Sequence, residues 1–309
     1  MQTSYSLISI YKQRIASLDR AIQNPPRQPQ QNAQPQRAVE YRKLLQRFRQ
    51  FLAEEERFWT QLIVRFRRNF AVDVAQHALT TLGIVAEEEA PPAGAETATA
   101  TRRNQYQFPP ESDTPEATPP ATTASQRESR LAILSKALVC LGDIARYKEQ
   151  YNEAGGRPRA GHEDGPPAIT AAKNSRGRRG GAPPAATTMI LPRMRDYGRA
   201  RSCYEQARSL VPHDGNPSHQ LAILSSYEKD MFNSLAHYYR ALCVRSPYDT
   251  ASENMGTVLT RALDQWRARR AKRDDPPAEA GPLPPRLLVE AIKEKIIVLH
   301  AQWRMGVSE

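Results

Sequence analysis

Apolar residues recur at three- and four-residue steps along most of this chain, and nowhere do they alternate with polar ones long enough to build a sheet. Tyr5 to Asn24 carries Leu7, Ile8, Tyr11, Ile15, Leu18 and Ile22 on one helical face. From Ala38 to about Phe70 there is no Pro or Gly, and Tyr41, Leu44, Leu45, Phe48, Leu52, Trp59, Leu62, Ile63, Phe66 and Phe70 keep a single stripe. At 1.5 Å per residue that helix runs about 50 Å, so it must pack against more than one neighbour. A shorter helix over Val72–Leu82 ends at Gly83. Helix returns over 125–151 and from Asp196 to Arg270, with turns expected at Pro212–Pro217 and Ser246–Tyr248. A last amphipathic helix follows, with Leu287, Leu288, Ala291, Ile292, Ile296, Leu299 and Trp303 on its face. The predicted fold class is all-α.

Between these elements the periodicity vanishes. Pro25–Gln36 is a Pro/Gln linker, 85–125 is acidic and then Pro/Thr/Ala-rich, 152–193 is Gly/Pro/Arg-biased, and 274–285 is Pro-rich. Such segments bury too little apolar surface to offset their chain entropy, so the last three are expected to be disordered. The expected organisation is N-terminal helices over 1–84, a linker over 85–125, helices over 126–273 with an insert at 152–193, a linker over 274–285 and the start of a further helical region at 286–309.

Composition narrows the function. With 44 Lys and Arg against 33 Asp and Glu, the formal charge is +11, which favours acidic partners such as nucleic acid, phosphopeptide or anionic membrane. No stretch approaches the ~18 consecutive apolar residues of a membrane span, and Met1–Ala16 lacks a signal-type cleavage site, so residence in nucleus and cytoplasm and no membrane partner are expected. Cys140, Cys203 and Cys243 each lie in an apolar stripe and read as small buried hydrophobes. No cysteine or histidine spacing suggests a metal, no cofactor motif is present, and there is no Walker-type loop, HExxH or GxSxG. The expectation is a protein that is not an enzyme.

Two helix hairpins carry the tetratricopeptide signature of small residues at helix crossings and large ones in the groove. The second is continuous: Ser218, Leu221 and Ala222, then Ser234, Tyr238, Ala241 and Pro247. The first is split, with Leu138, Leu141 and Gly142 before the insert and Ala200, Tyr204, Ala207 and Pro212 after it. The consensus spacing of about 12 between its Gly and Ala implies about 46 inserted residues, tolerable because loop closure costs grow only logarithmically.

These residues resemble a known family. Leu141-Gly142-Asp143-Ile144-Ala145-Arg146-Tyr147, Ala207 to Pro212, and Asn216-Pro217-Ser218-His219-Gln220-Leu221-Ala222-Ile223-Leu224 are similar to the Est/Smg family. Tyr238-Tyr239-Arg240-Ala241 through Ser246-Pro247, Ala251-Ser252-Glu253-Asn254 and Glu56-Arg57-Phe58-Trp59 fit the same pattern. Its members are the ever-shorter-telomeres telomerase-associated proteins and the Smg adaptors of nonsense-mediated mRNA decay. The resemblance implies a 14-3-3-like, tetratricopeptide-like antiparallel helical array, followed by helices of a DNA/RNA-binding region that here would barely begin. The chain resembles a short or truncated member, without room for the nuclease-type domain of some relatives.

The partners so implied are a phosphorylated protein bearing a phosphoserine, RNA or telomeric DNA, and a related Smg-type heterodimer partner. A phosphoserine site needs two or three fixed cations and a hydroxyl donor. Arg146 and Tyr147 resemble the phosphate-gripping pair of 14-3-3 proteins; equally, Arg146 would pair with Asp143 or Glu149 on its own helix while Tyr147 packs. A second cation is expected from Arg65, with Arg68 next, the alternative being a solvated basic face. Weak nucleic-acid contacts are expected from Arg176, Arg178 and Arg179 in an RGG-like run, which would equally serve a non-specific or nuclear-import role, and from Arg269 and Arg270 at a helix end, where they would equally complement the helix dipole.

Overall fold

The repeating apolar stripes resolve into helices throughout. A computed structural model describes residues 2–23, 33–70, 72–84, 123–152, 195–271 and 284–306, and among these no strand pairing exceeds a single bridge between Asp214 and Ser246. The all-α expectation is met. The stretches read as disordered at 85–125, 152–193 and 274–285 fall almost wholly outside the described residues. Two compact units divide the chain, Met1–Cys203 and Tyr204–Glu309.

The first unit holds α1 (Gln2–Gln23), α2 (Ala33–Phe70), a 3-10 turn at Asp73–Ala75, α3 (Gln76–Thr81), α4 (Ala124–Gln150) and the start of α5 (Gly198–Leu210). As its length requires, α2 packs against both α1 and α4. Arg14 on Glu40 and Ser4 on Glu55 set the antiparallel register of α1 with α2. Arg49 on the Tyr151 carbonyl, Lys148 on Glu56 and Arg130 on the Phe70 carbonyl set that of α2 with α4. Ile8, Ile15, Leu45, Phe48, Leu52, Ile63, Leu134, Leu138 and Leu141 fill the core between them. Although 153–194 intervene, the backbone NH of Asp196 donates to Glu149 Oε1 at 3.0 Å, so the chain enters α5 beside the end of α4.

The second unit adds α6 (Gly215–Tyr227), α7 (Met231–Leu242), α8 (Thr250–Arg270) and α9 (Pro285–Met305). The crossing of α6 and α7 is close because its residues are small. Ala222, Ser234 and Ala241 are fully buried, and Ser234 Oγ stands 2.9 Å from the Ala222 carbonyl oxygen and 2.7 Å from Ser226 Oγ. Leu235, Tyr238, Met255, Val258, Leu259, Leu263, Ile297, Val298 and Ala301 complete one core from α7, α8 and α9.

Several boundaries differ from expectation for one reason. Proline in the first helical turn loses no hydrogen bond, since those NH groups have no partner within the helix. Thus Pro35 lies inside the start of α2, Pro217 in the first turn of α6, and Pro285 opens α9, where linker or turn was expected. The expected linker over 85–125 also ends early: Thr123 caps α4 with a reciprocal side-chain pair, its Oγ1 accepting from the Gln126 NH at 3.2 Å. Cys243 departs too, for it caps the C-terminus of α7 and is exposed, beyond the turn where the apolar stripe faces inward.

Gly215 sits where the α6 start meets the turn after α7. A Cβ there would come within 2.3 Å of the Ala241 carbonyl oxygen, and its NH already donates to Ser246 O at 2.9 Å. Gly215→Ala should therefore cost about 1–3 kcal/mol of stability, measured by denaturant unfolding, with no change in helical content at low temperature. Burial pushes the Cys140 and Cys203 thiols up to about 11, against an ordinary 9.0. Folding thus opposes their ionisation, and stability falls as pH rises from about 9 towards 11. In the native protein near neutral pH, a thiol-alkylating reagent should modify Cys243 fast and the other two only after denaturation, as mass spectrometry of the labelled peptides would report.

Candidate functional site

α4 carries Asp143 and Arg146 three residues apart, both almost fully buried. An Arg146 Nη lies 3.0 Å from Asp143 Oδ1, and the Tyr5 hydroxyl of α1 donates to Asp143 Oδ2 at 2.7 Å. Each carboxylate oxygen is thereby satisfied, by one charged and one neutral donor. The same Tyr5 hydroxyl stands 3.6 Å from Cys140 Sγ. Burial and the Asp143 charge together push the Tyr5 phenol far above its ordinary range, so it stays a donor.

Tyr147 packs beside this pair, and two cations stand over its ring. The Arg146 guanidinium is 4.5 Å from the ring centroid and Lys12 Nζ of α1 is 5.3 Å from it. One turn further along α4, Arg49 of α2 donates from Nε and an Nη to the Tyr151 carbonyl, at 2.8 and 2.6 Å. That places a guanidinium on the negative end of the helix. The Phe48 ring meets Tyr151 edge-on at 5.0 Å and stacks on Tyr11 at 5.0 Å, so α1, α2 and α4 converge here through aromatic contacts.

The structure brings Arg146 and Tyr147 together and adds Lys12 and Arg49, which the sequence reading did not single out. Arg65 and Arg68 lie elsewhere on α2. The antiparallel register sets Arg65 level with Ser135–Val139, about two to three turns from Arg146. Arg65 is half-buried and Arg68 exposed. Of the alternatives for Arg146, the Asp143 pair is made, while Glu149 instead receives the Asp196 NH. A hollow of about 250 Å³ between α1 and α2 is lined by Ser4, Glu54, Glu55, Phe58 and Trp59; Glu55 accepts there from Ser4 and from the Trp59 indole, giving it acidic character.

In the second unit Arg269 pairs with Glu294 at 2.5 Å, and Arg270 stands 5.3 Å over the Trp266 ring. Arg176, Arg178 and Arg179 lie outside the described residues. Among the described residues no group of three or more His, Cys, Asp and Glu is placed to hold a metal ion. Nor is any helix there long and apolar enough to cross a membrane.

The family model for the telomerase activating protein Est1 matches residues 1–152, and that for the Est1 DNA/RNA binding domain matches residues 200–302. The nonsense-mediated mRNA decay factor SMG7 of Arabidopsis thaliana is 27% identical over 221 residues, 72% of this chain and 15% of its own length. The telomerase-binding protein EST1A of Danio rerio is 28% identical over 150 residues, 48% of this chain and 7% of its own. SMG7 of Danio rerio is 39% identical over 66 residues, 21% of this chain and 6% of its own. The chain thus spans a small part of the length of these relatives.

Removing one partner of a buried ion pair strands the other charge. Arg146→Met should lower unfolding stability by about 3–5 kcal/mol. The double variant Arg146→Met with Asp143→Leu should recover most of that loss, as chemical denaturation of both proteins would show.

Proposed function

The chain belongs to the Est/Smg family, and on that footing we propose that it is a non-enzymatic adaptor of nonsense-mediated mRNA decay or telomere maintenance that grips a phosphorylated protein partner where α1, α2 and α4 converge. The observation carrying this reading is the gathering of Lys12, Arg49 and Arg146 from three helices around Tyr147 and the end of α4. A phosphoserine brings nearly two negative charges and three acceptor oxygens. Asp143 engages Arg146, so a phosphate would draw on Lys12 and Arg49 as well. Lys12 supplies a swinging ammonium, Arg49 a planar fork, and Tyr147 a hydroxyl. Arg65 and Arg68, further along α2, would take acidic residues flanking the phosphoserine. The names of the relatives, a decay factor and a telomerase-binding protein, support both pathways. Residence in nucleus and cytoplasm, and pairing with a related Smg-type protein, accompany the proposal.

A second reading is favoured by the DNA/RNA binding model over 200–302: RNA or telomeric DNA held through basic surfaces, with Arg269 and Arg270 at the end of α8. The two readings differ in salt dependence. A compact pocket gives one-to-one binding that needs the phosphate, whereas a diffuse basic surface gives a steep salt slope.

Calorimetric titration with a phosphoserine peptide, its unphosphorylated twin and a single-stranded oligonucleotide separates them. Phosphate-dependent binding is expected, and Lys12→Glu or Arg49→Ala should weaken it about tenfold or more, since one charge-assisted bond contributes about 1.5–3 kcal/mol. Arg65→Ala should have a smaller effect. Equal affinity for both peptides would sink the phosphopeptide reading, and oligonucleotide binding alone would favour the second.

A further inference from the structure

α9 is apolar on two opposite sides. Ile297, Val298 and Ala301 are buried in the second unit's core. The other side carries Val289, Ile292, Ile296, Leu299 and Trp303, spaced by three, four, three and four residues. At 100° per residue these five fall within an arc of about 80°, directly opposite the buried face. Val289 is 50%, Ile292 48%, Leu299 62% and Trp303 79% exposed, and Ile296 is partly so. Leu288, 49% exposed, widens the stripe at its start.

A three-four alternation sustained over two heptads is the seam of a helix that pairs with another helix, because it keeps one narrow stripe facing the partner. A helix needs one apolar stripe to join its own core, and α9 has that stripe already. Contiguous apolar surface of this kind on a soluble face marks an interaction site. The exposed seam runs about 21 Å along the axis, from Val289 to Trp303.

The shoulders of the seam choose the occupant. Arg286 and Arg304 line one side, with Lys293 between them paired to Glu290, and Lys295 lines the other. Arg304 donates to the Ser252 carbonyl and hydroxyl, neutral acceptors that leave its charge uncompensated. The carboxylates of α9 face inward or are engaged: Glu294 pairs with Arg269 of α8, and Glu290 with Lys293. A second copy of α9 laid on this seam would set basic shoulders against basic shoulders. Aliphatic side chains dominate the seam, whereas unpaired bases need aromatic platforms.

We infer that the outer face of α9 is a docking surface for an amphipathic helix of a partner protein, with apolar residues at heptad spacing and acidic residues flanking them. Trp303 and Leu299 enter its groove, while Lys295 and Arg304 pair with its flanking carboxylates.

The test uses the full chain and two synthetic 21-residue helical peptides with the same Leu/Ile seam, one flanked by Glu and one by Lys. By calorimetry the Glu-flanked peptide should bind at least tenfold tighter than its twin. Trp303→Glu with Ile292→Glu should remove that binding without changing the thermal melt, since both side chains point outward. Lys295→Glu with Arg304→Glu should reverse the preference between peptides. The inference is overturned if neither peptide binds, or if both bind equally. Sedimentation showing a dimer that Trp303→Glu dissolves overturns it in favour of a second copy. Quenching of Trp303 fluorescence by a single-stranded oligonucleotide, with no response to either peptide, overturns it in favour of base stacking.

Discussion

The first unit depends on how a charged pair survives inside α4. Asp143 and Arg146 lie among Leu138, Leu141 and Ile144, where an isolated ion would be driven out or neutralised. They remain because each compensates the other and because Tyr5 supplies the remaining carboxylate oxygen with a donor. That last contact comes from α1, about 140 residues earlier in sequence, so satisfying the pair also docks the N-terminal helix. Lys12, two turns further along α1, is carried to Tyr147 by the same docking. Removing the donor would leave a buried oxygen unmet, and such a deficit costs more than the bond itself contributes.

Periodicity revealed the helices because it is a local property. α2 is long and carries an unbroken stripe, while α4 is long, free of Pro, and buried nearly all round from Leu134 to Tyr147. Family motifs revealed Arg146 and Tyr147, which are neighbours on one helix. What stayed hidden is what three dimensions decide. Arg65 and Arg146 sit on helices that do pack together, yet the register between them was invisible until Arg49, Lys148 and Arg130 fixed it. Residue type alone does not mark Lys12 or Arg49, each one cation among 44 Lys and Arg residues. The signal was their adjacency to Tyr11 and Phe48, the two stacked rings that bring α1 onto α2.

Small residues govern the second unit in the way charge governs the first. At the α6–α7 crossing, Ala222 and Ala241 let the backbones approach, and Ser226 and Ser234 bond to each other and to the chain rather than to water. Closeness then constrains the ends of the hairpin, where Gly215 lies against the Ala241 carbonyl. His219 is enclosed by the same packing, its ring 4.6 Å from that of Tyr248 and 5.7 Å from that of Tyr238. Aromatic contact thereby continues from α6 across α7 to the turn before α8. This histidine therefore reads as a packing element of the repeat.

Charge on this molecule is best understood by its employment. A formal excess of +11 suggests a basic surface, but Arg14, Lys148, Arg269 and Lys293 each pair with a glutamate, and Arg49, Arg130, Arg199 and Arg304 each donate to a backbone carbonyl. Cations in the second group differ from those in the first, because a carbonyl accepts the hydrogen bond without cancelling the charge. Those arginines tie elements together through neutral acceptors. Arg49 at the end of α4 and Arg304 beside the exposed seam of α9 belong to this group, one in each unit. Both guanidiniums are held in place by the fold, and a cation fixed in advance is what recognition of a negative ligand requires.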